Sequence, residues 1–126
     1  MASFKITGGK ELSGIVYPQG AKNEALQIIS ATLLTNQKII IRNIPMIIDV
    51  ICLMEILEGL GVVVKKIRKN TYSFEAKNIN INYLKTIEFK ENSQKIRGSV
   101  MIMGPLLARF GTTILYPPGG DKIGRR

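Results

Sequence analysis

The amino-acid sequence predicts an α/β fold, in which amphipathic helices alternate with short strands. Apolar residues recur at helical spacing over 22–34 and over 50–60. Each of these segments is followed by a run rich in β-branched residues, at 38–42 and 62–65. With 45% hydrophobic residues among 126, the chain can build the core of one modest domain.

The first half of the chain predicts the order strand, helix, strand, helix, strand, strand. Residues 4–16 predict two short extended pieces around a Gly-Gly turn, and 22–34 predict the first helix. The strand 38–42 is closed by the turn at Pro45, because proline supplies no donor to a sheet ladder.

A second helix and a strand pair complete this unit. Asp49 is placed to cap the helix 50–60 or to lie in its first turn, and Gly61 is placed to end it. Residues 62–65 and 71–75 then predict two strands around the turn at Lys69-Asn70.

The second half is less regular. Residues 78–95 are polar and lysine-rich with weak strand character, so we expect them to lead into a second unit. Residues 97–110 predict a helix that Pro105 should kink or restart, and 112–116 predict a strand.

A faint internal repeat relates the two halves. Laying 25–45 over 99–119 puts helix over helix and strand over strand, with Leu33 over Leu107. The second copy stops before its second helix, so we expect the chain to be truncated.

Charge and composition narrow the classes of function. The formal charge of +9, from 18 Lys+Arg against 9 Asp+Glu, predicts an anionic partner, which can be nucleic acid, phospholipid or a phosphorylated metabolite. The absence of histidine excludes histidine-based metal sites and His-dependent triads from this chain, and the single Cys52 excludes an internal disulfide. No signal peptide or membrane-length apolar run is visible, so we expect a soluble, cytoplasmic protein.

The last loop, 117–126, is the most charged turn of the chain. Two prolines and two glycines precede Asp121, which is followed by Lys122, Arg125 and Arg126. A solvated surface turn is one interpretation. The other is a loop that brings one proton carrier and several cations to a small anionic substrate such as a phosphate ester.

The second informative stretch is 20–26. Gly20 frees the backbone, and Lys22 and Asn23 stand where a helix begins, so free N–H groups, the helix dipole and a lysine can favour an anion. The alternatives are that Asn23 is only a helix cap and Lys22 only a surface lysine.

Three motifs in order make the sequence recognisable. They are Gly-Ala-Lys-Asn at 20–23, Arg97-Gly98-Ser99 leading into Gly-Pro-Leu-Leu-Ala-Arg-Phe-Gly at 104–111, and Pro-Gly-Gly-x-x-Ile-Gly-x-Arg at 118–126. Together they resemble the N-terminal part of the UDP-N-acetylglucosamine enolpyruvyl transferase family (UDP-N-acetylglucosamine 1-carboxyvinyltransferases), over essentially the whole chain. Members of that family are several times longer.

The resemblance implies an inside-out α/β barrel built from βαβαββ repeats, of which this chain would hold about one and a half. Residues 1–20 would be N-terminal strands that pair with the other domain. Residues 21–126 would be an incomplete barrel domain, with the first repeat at about 21–77 and the start of the second at about 78–126.

The same resemblance implies transfer of the enolpyruvyl group of phosphoenolpyruvate to the 3-hydroxyl of UDP-N-acetylglucosamine, with release of phosphate. This is the first committed step of bacterial peptidoglycan synthesis. The partners would be these two small molecules, with no nucleic acid, membrane, cofactor or metal, and the fragment alone would be inactive.

Roles for individual residues follow from the motif positions that they match. Lys22 would bind the phosphate and carboxylate of phosphoenolpyruvate, and Asn23 would hold the tetrahedral intermediate and help place the acceptor hydroxyl. Arg97 and Arg126 would bind substrate, and Asp121 would protonate the methylene carbon of phosphoenolpyruvate from a mobile loop. Lys122 and Arg125 match no residue with a role, and Arg109 would be structural.

Asp121 departs from the commonest family pattern, which has cysteine there, although aspartate is a known variant. An aspartate of ordinary pKa, about 3.9, is ionised at neutral pH, and nearby cations favour that form, so the closed site must restore the proton. A carboxylate is also a weaker nucleophile than a thiolate, so the resemblance implies resistance to the alkylating epoxide fosfomycin.

Two alternatives remain at this point. The shikimate-pathway enolpyruvyl transferase is disfavoured, because its helix-head lysine is followed by a different, serine-rich pattern. A basic nucleic-acid-binding module fits the charge, but aromatic residues are only 6% and no known binding motif is visible.

Overall fold

The computed structural model describes residues 2–119 and has an α/β architecture, as the sequence predicts. A three-stranded antiparallel sheet of order β1-β3-β2 packs against a layer of helices. The elements are α1 (Lys22–Ala31), β1 (Lys38–Ile41), α2 (Ile48–Gly59), β2 (Val63–Arg68), β3 (Thr71–Glu75), α3 (Ile87–Lys95) and α4 (Met103–Phe110), with short 3₁₀ helices at Thr32–Leu34, Ile81–Lys85 and Arg97–Ile102.

The sheet confirms the three predicted central strands. Phe74 of the middle strand pairs with Ile39 on one side and with Val64 on the other. Its side chain is fully buried, whereas Lys65, one residue along from Val64, is exposed on the opposite face. Burial of these apolar side chains therefore decides which face of the sheet meets the helices.

The core lies between this face and the helices, and it fixes the relative positions of α1 and α2. Its largest fully buried members include Ile29, Leu33, Leu53, Ile56, Leu57, Phe74, Phe89 and Leu106. Each such side chain contributes about 1.5–3 kcal/mol through burial.

The two long helices follow the sequence prediction closely. The first runs on from Ala31 into the 3₁₀ turn, completing the predicted segment. In the second, Asp49 lies in the first turn rather than capping it, and Gly61 follows the C-cap with φ 97°. A side chain at Gly61 would also collide with the carbonyl oxygen of Asn78, so glycine is required there.

The prediction of weak strand character over 78–95 is wrong, because this stretch is helical. Asn80 accepts a hydrogen bond from the backbone N–H of Asn82, and Thr86 accepts one from that of Phe89. These side-chain caps stabilise the first turns of the 3₁₀ helix Ile81–Lys85 and of α3. They favour helix in a segment whose apolar residues only weakly favour a strand.

The helix predicted over 97–110 is confirmed, including its restart near Pro105. The chain forms a 3₁₀ helix, Arg97–Ile102, and then α4, with Pro105 in the first turn. The missing N–H costs little there, because the first N–H groups of a helix have no intrahelical acceptor. Gly111, at φ 70°, ends α4.

The strand predicted over 112–116 is wrong for the described residues. No neighbour in the sheet accepts its backbone hydrogen bonds, and Ile114 and Tyr116 pack against the core instead. The second copy of the proposed internal repeat therefore lacks the strand that the first copy has. The helices of the two copies also differ in burial, since Leu33 is fully buried and its counterpart Leu107 is 46% exposed.

Residues 2–20 contain no assigned strand, so the two extended pieces predicted over 4–16 are not observed as strands. Their apolar side chains are exposed, with Phe4 at 96% and Leu12 at 94%. The division at residue 20 into two domains stays a prediction.

Candidate anion-binding site

A cleft of about 730 Å³ lies where the N-terminus of α1, the first turn of α2 and the junction after α3 meet. We call it the α1 cleft. Its lining residues are Lys22, Asn23, Leu26, Gln27, Asp49, Lys95, Ile96, Arg97, Gly98, Val100 and Met101. Three predicted site residues thus line one cleft, because the fold brings Arg97 to the neighbouring pair Lys22 and Asn23.

The first turn of α1 supplies one wall of the α1 cleft. Ala21 is the N-cap residue and makes no side-chain hydrogen bond to the turn, so Asn23 is not the cap. That alternative for Asn23 is wrong. The first N–H groups of the helix therefore have no capping side chain, and this end of the helix carries the positive end of the dipole.

Lys22 is held at this end by an ion pair. Its Nζ donates to Oδ2 of Asp49 at 2.6 Å, with side-chain exposures of 49% and 28%. Asp49 was predicted only as a helix-start residue, and nothing in the sequence pattern links two residues that lie 27 positions apart. An ammonium group has three donors, so Lys22 can contact an anion without losing this partner.

The opposite wall is the junction between α3 and the 3₁₀ helix Arg97–Ile102. Ser99, which is buried, donates to the carbonyl oxygens of Ser93 at 2.7 Å and Ile96 at 3.0 Å. Gly98 lies directly against Leu26 of α1, where a Cβ would come within 2.9 Å of Cδ1. These contacts place Arg97 close to the start of α1.

The electrostatics of the α1 cleft favour an anion. Lys22, Lys95 and Arg97 carry positive charge, and Asp49 is the one acidic residue among the lining side chains. Lys95 does not stand out in the sequence, because the polar segment 78–95 has only weak strand character and gives no sign of a helix that ends at this residue. Three cations around a cleft of small-molecule size suit a phosphorylated ligand.

The other predicted site residues cannot be placed. Asp121 and Arg126, with Lys122 and Arg125, lie outside the described residues. The structure therefore does not test whether they reach Lys22.

Arg109 has a structural position. Its Nη1 donates to the carbonyl oxygens of Leu33, Thr35 and Ala76 at 2.8–3.1 Å. The guanidinium thereby joins α4 to the end of the first helical segment and to the residue after β3. This agrees with the structural role expected from the sequence.

Cys52 lies on α2, is partly buried and does not line the α1 cleft. Burial, followed by the negative charge of Glu55, raises the pKa of its thiol above 9.0. Within residues 2–119, no group of three or more His, Cys, Asp or Glu side chains could hold a metal ion. None of the helices described is long and apolar enough to cross a bilayer.

Comparison with known proteins identifies the class. The fold is similar to the crystal structure of the enolpyruvyl transferase NikO from Streptomyces tendae, with a TM-score of 0.65 and 24% identity over 82% of this chain and 23% of that one. Residues 6–126 match the EPSP synthase (3-phosphoshikimate 1-carboxyvinyltransferase) family. The chain belongs to this family, and the predicted enolpyruvyl transferase fold is confirmed.

Individual relatives narrow the comparison within the family. The chain is 55% identical over its whole length to the UDP-N-acetylglucosamine 1-carboxyvinyltransferase of Porphyromonas gingivalis. It is 52% identical to the protein of that name in Bacteroides thetaiotaomicron and 42% identical to that of Treponema denticola. It spans about 29% of the length of each of these relatives.

Proposed function

We propose that the chain is part of a UDP-N-acetylglucosamine 1-carboxyvinyltransferase, which moves the enolpyruvyl group of phosphoenolpyruvate to the 3-hydroxyl of UDP-N-acetylglucosamine and releases phosphate. The observation that carries the proposal is the meeting of Lys22, Asn23 and Arg97 in one cationic cleft. Both substrates are phosphorylated anions, which such a cleft favours. The 55% identity to a relative of that name supports the choice of acceptor.

The start of α1 would hold phosphoenolpyruvate. The Lys22 ammonium can pair with its phosphate or carboxylate, while the uncapped N–H groups of the first turn add donors. Asn23, on the same turn, can donate its amide N–H to the acceptor oxygen or to the tetrahedral intermediate. Arg97, on the other wall, would bind a second anionic group in fork geometry.

Asp121 would supply the proton. In the addition step the 3-hydroxyl of the sugar gives its proton to a general base and its oxygen bonds to C2 of phosphoenolpyruvate, while C3 takes a proton from the carboxylic acid of Asp121. In the elimination step C3 returns a proton to the carboxylate so formed, the C2=C3 double bond is restored, and the C2–O bond to phosphate breaks. Arg126 would help to hold the substrate anions during both steps.

The reaction would be the first committed step of peptidoglycan synthesis, and would thus serve cell-wall formation, cell shape and division. It would take place in the cytoplasm on the two small molecules, with no nucleic acid or membrane as a partner. Because the chain spans 29% of its relatives, we expect the 126-residue polypeptide alone to bind ligands without turning them over.

A hybrid enzyme tests the proposal directly. The chain would replace the aligned segment of the Porphyromonas gingivalis relative, and phosphate release would be measured with each substrate omitted in turn. We expect release that requires both substrates and falls at least about a hundredfold in Lys22→Ala, since removing one preorganised charge contact costs about 2.7–4 kcal/mol. Lys85→Ala, which removes an exposed lysine away from the cleft, is the matched control.

Two results would overturn the proposal. One is a folded hybrid that releases no phosphate with UDP-N-acetylglucosamine, and the other is release that requires shikimate 3-phosphate instead. Asp121 is tested in the same hybrid by incubation with fosfomycin and mass spectrometry. We expect no adduct on Asp121 and a stable adduct in Asp121→Cys, because the thiolate is the stronger nucleophile.

A further inference from the structure

The segment 116–119, at the start of the last loop, contacts α3 near both ends of that helix. We call it the diproline segment, because two prolines lie between its two points of contact. Tyr116 and Gly119 are partly buried, whereas both prolines are exposed. The segment is therefore held by its first and last residues.

The first contact is aromatic and lies near the start of α3. The ring of Tyr116 lies 5.9 Å from that of Phe89, whose side chain is 2% exposed, and Nζ of Lys90 lies 5.9 Å from the centroid of the Tyr116 ring. Tilted aromatic pairs and cation–π contacts at these separations are both favourable. Such packing also stabilises the core, and this simpler role has to be distinguished from positioning.

The second contact is made by the backbone at the end of α3. A Cβ on Gly119 would collide with the carbonyl oxygen of Gln94 and would lie 3.2 Å from the carbonyl carbon of Lys95. Glycine allows two stretches of backbone to approach this closely. Because Lys95 lines the α1 cleft, the diproline segment ends beside that cleft.

The two prolines suit the distance between these contacts. An α-helix rises about 9 Å over the six residues from Phe89 to Lys95. Three steps of the extended conformation that proline favours also cover about 9 Å. Proline fixes φ, so this spacer is stiff. The contact of Tyr116 at one end of the segment therefore helps to set the position of Gly119 at the other.

We propose that Tyr116 is a positioning residue for the proton donor, because its contact with α3 holds the base of the loop that carries Asp121 beside the α1 cleft. Asp121 follows Gly119 by two peptide units, and covalent geometry limits the distance between their Cα atoms to about 7.6 Å. Holding a reacting group near its partner lowers the entropic part of the barrier. The catalytic part of this inference rests on the proposed function, whereas the placement of the loop does not.

Disulfide cross-linking in the 126-residue chain tests the placement without any substrate. Cys52 is the only cysteine, so Cys52→Ser gives a cysteine-free background, in which Lys95→Cys and Asp121→Cys supply the pair. We expect this pair to form a disulfide under mild oxidation, and Tyr116→Ala to slow its formation at least about threefold, because the effective concentration of the thiols falls. Tyr72→Ala removes another partly buried tyrosine, which packs against the core from β3, and is the matched control.

Kinetics of the hybrid enzyme separate positioning from stability. Tyr116→Ala should lower kcat at least about tenfold and change the KM of UDP-N-acetylglucosamine less than about twofold, because a misplaced acid slows the chemical step rather than ground-state binding. Tyr116→Phe keeps the ring and should retain most of the activity. Pro117→Gly combined with Pro118→Gly should also lower kcat, although both side chains are exposed. Tyr72→Ala should lower the unfolding midpoint and leave kcat unchanged.

The outcomes separate the positioning role from the proposed function. Equal effects of Tyr116→Ala and Tyr72→Ala on kcat, or a folded chain in which no disulfide forms, would overturn the positioning role. Cross-linking that does not depend on Tyr116 would also overturn it and would leave the proposed function standing. A folded hybrid that releases no phosphate, together with Tyr116-dependent cross-linking, would support the placement of the loop and count against the proposed function.

Discussion

Gly98→Ala is the sharpest test of the packing that forms the α1 cleft. A Cβ at this position would lie 2.9 Å from Cδ1 and 3.3 Å from Cδ2 of Leu26. Leu26 is 5% exposed and lines the α1 cleft, so its side chain can relieve this contact only by shifting towards the cleft. Gly98 is not among the glycines with positive φ, so the backbone itself accepts alanine and the effect is purely steric.

The expected magnitude is the difference of two terms. Overpacking a filled site costs about 1–3 kcal/mol. Replacing glycine by alanine in a helical segment gains about 0.5–1 kcal/mol, which offsets part of that cost. We therefore expect Gly98→Ala to lower the free energy of unfolding by about 1 kcal/mol, and by at most about 2.5 kcal/mol.

Gly104→Ala is the matched control. Gly104 lies in the first turn of α4, and a Cβ there would meet nothing within 4 Å apart from its chain neighbours. The helix-propensity gain is offset by crowding between this Cβ and the ring of Pro105, so this variant should change the free energy of unfolding by less than about 0.5 kcal/mol. The two substitutions have the same chemistry, and only Gly98→Ala adds a contact with another helix.

Urea unfolding followed by circular dichroism measures both variants, with the slope m expected to stay constant while the midpoint moves. A second substitution checks the cause. Leu26→Val should cost less in the Gly98→Ala background than in the wild type, because it removes the atoms that collide. Midpoint shifts of equal size and sign for Gly98→Ala and Gly104→Ala would show that the segment does not pack closely on α1.

Three other predictions concern single side chains. Arg109→Met should lower the free energy of unfolding by about 1–3 kcal/mol because three carbonyl oxygens lose their donor, whereas the exposed Arg68→Met should change it by less than about 0.5 kcal/mol in the same urea assay. Cys52 should react with iodoacetamide more slowly in the native than in the unfolded chain at pH 8, because burial and Glu55 raise the pKa of its thiol. Equal alkylation rates in the native and unfolded chain would refute the raised pKa. The stability contributed by this raised pKa is present below the pKa of the thiol in the unfolded chain and is lost as the pH rises through its pKa in the folded chain. Asp49→Asn should tighten orthophosphate binding in calorimetry at low salt, since the ionic residues lining the cleft then sum to three positive charges instead of two, and weaker binding would contradict this.

The sequence predicts most reliably those elements in which a clear periodicity of apolar residues is bounded by a turn or cap residue. The helix 22–34, the strands around Lys69-Asn70 and the stop at Gly61 all combine a clear period with a turn or cap residue, and the structure contains each of them. Local pattern is sufficient there because burial on one face selects both the element and its register.

The failures have two distinct physical causes. Over 78–95 the side-chain caps of Asn80 and Thr86 outweigh a weak alternation of apolar residues, and the period alone does not show this. Over 112–116 the apolar residues pack on the core, but a strand also requires a neighbouring strand, which is a property of the whole fold.

The contrast between local sequence pattern and tertiary packing also separates the site residues that the sequence predicts from those that it does not. Lys22, Asn23 and Arg97 were found because they lie in short motifs that the family resemblance picks out. Asp49 lies 27 residues from its partner, and Lys95 lies at the end of a helix in a segment for which the sequence predicts only weak strand character. Their membership of the cleft depends on tertiary packing, which no local pattern reports.

The start of α1 departs from the pattern that usually stabilises a helix N-terminus, as the proposed anion site predicts. Ala21 is a poor N-cap residue, which costs about 1 kcal/mol relative to serine or aspartate, and Lys22 puts a cation at the positive end of the dipole. By contrast, Thr86 caps α3 in the favourable way. An unfavourable N-cap residue followed by a cation is expected where a binding site needs free N–H donors and positive charge. The ion pair with Asp49 offsets part of the dipole penalty in the unliganded chain while leaving the N–H groups of the turn open to an anion.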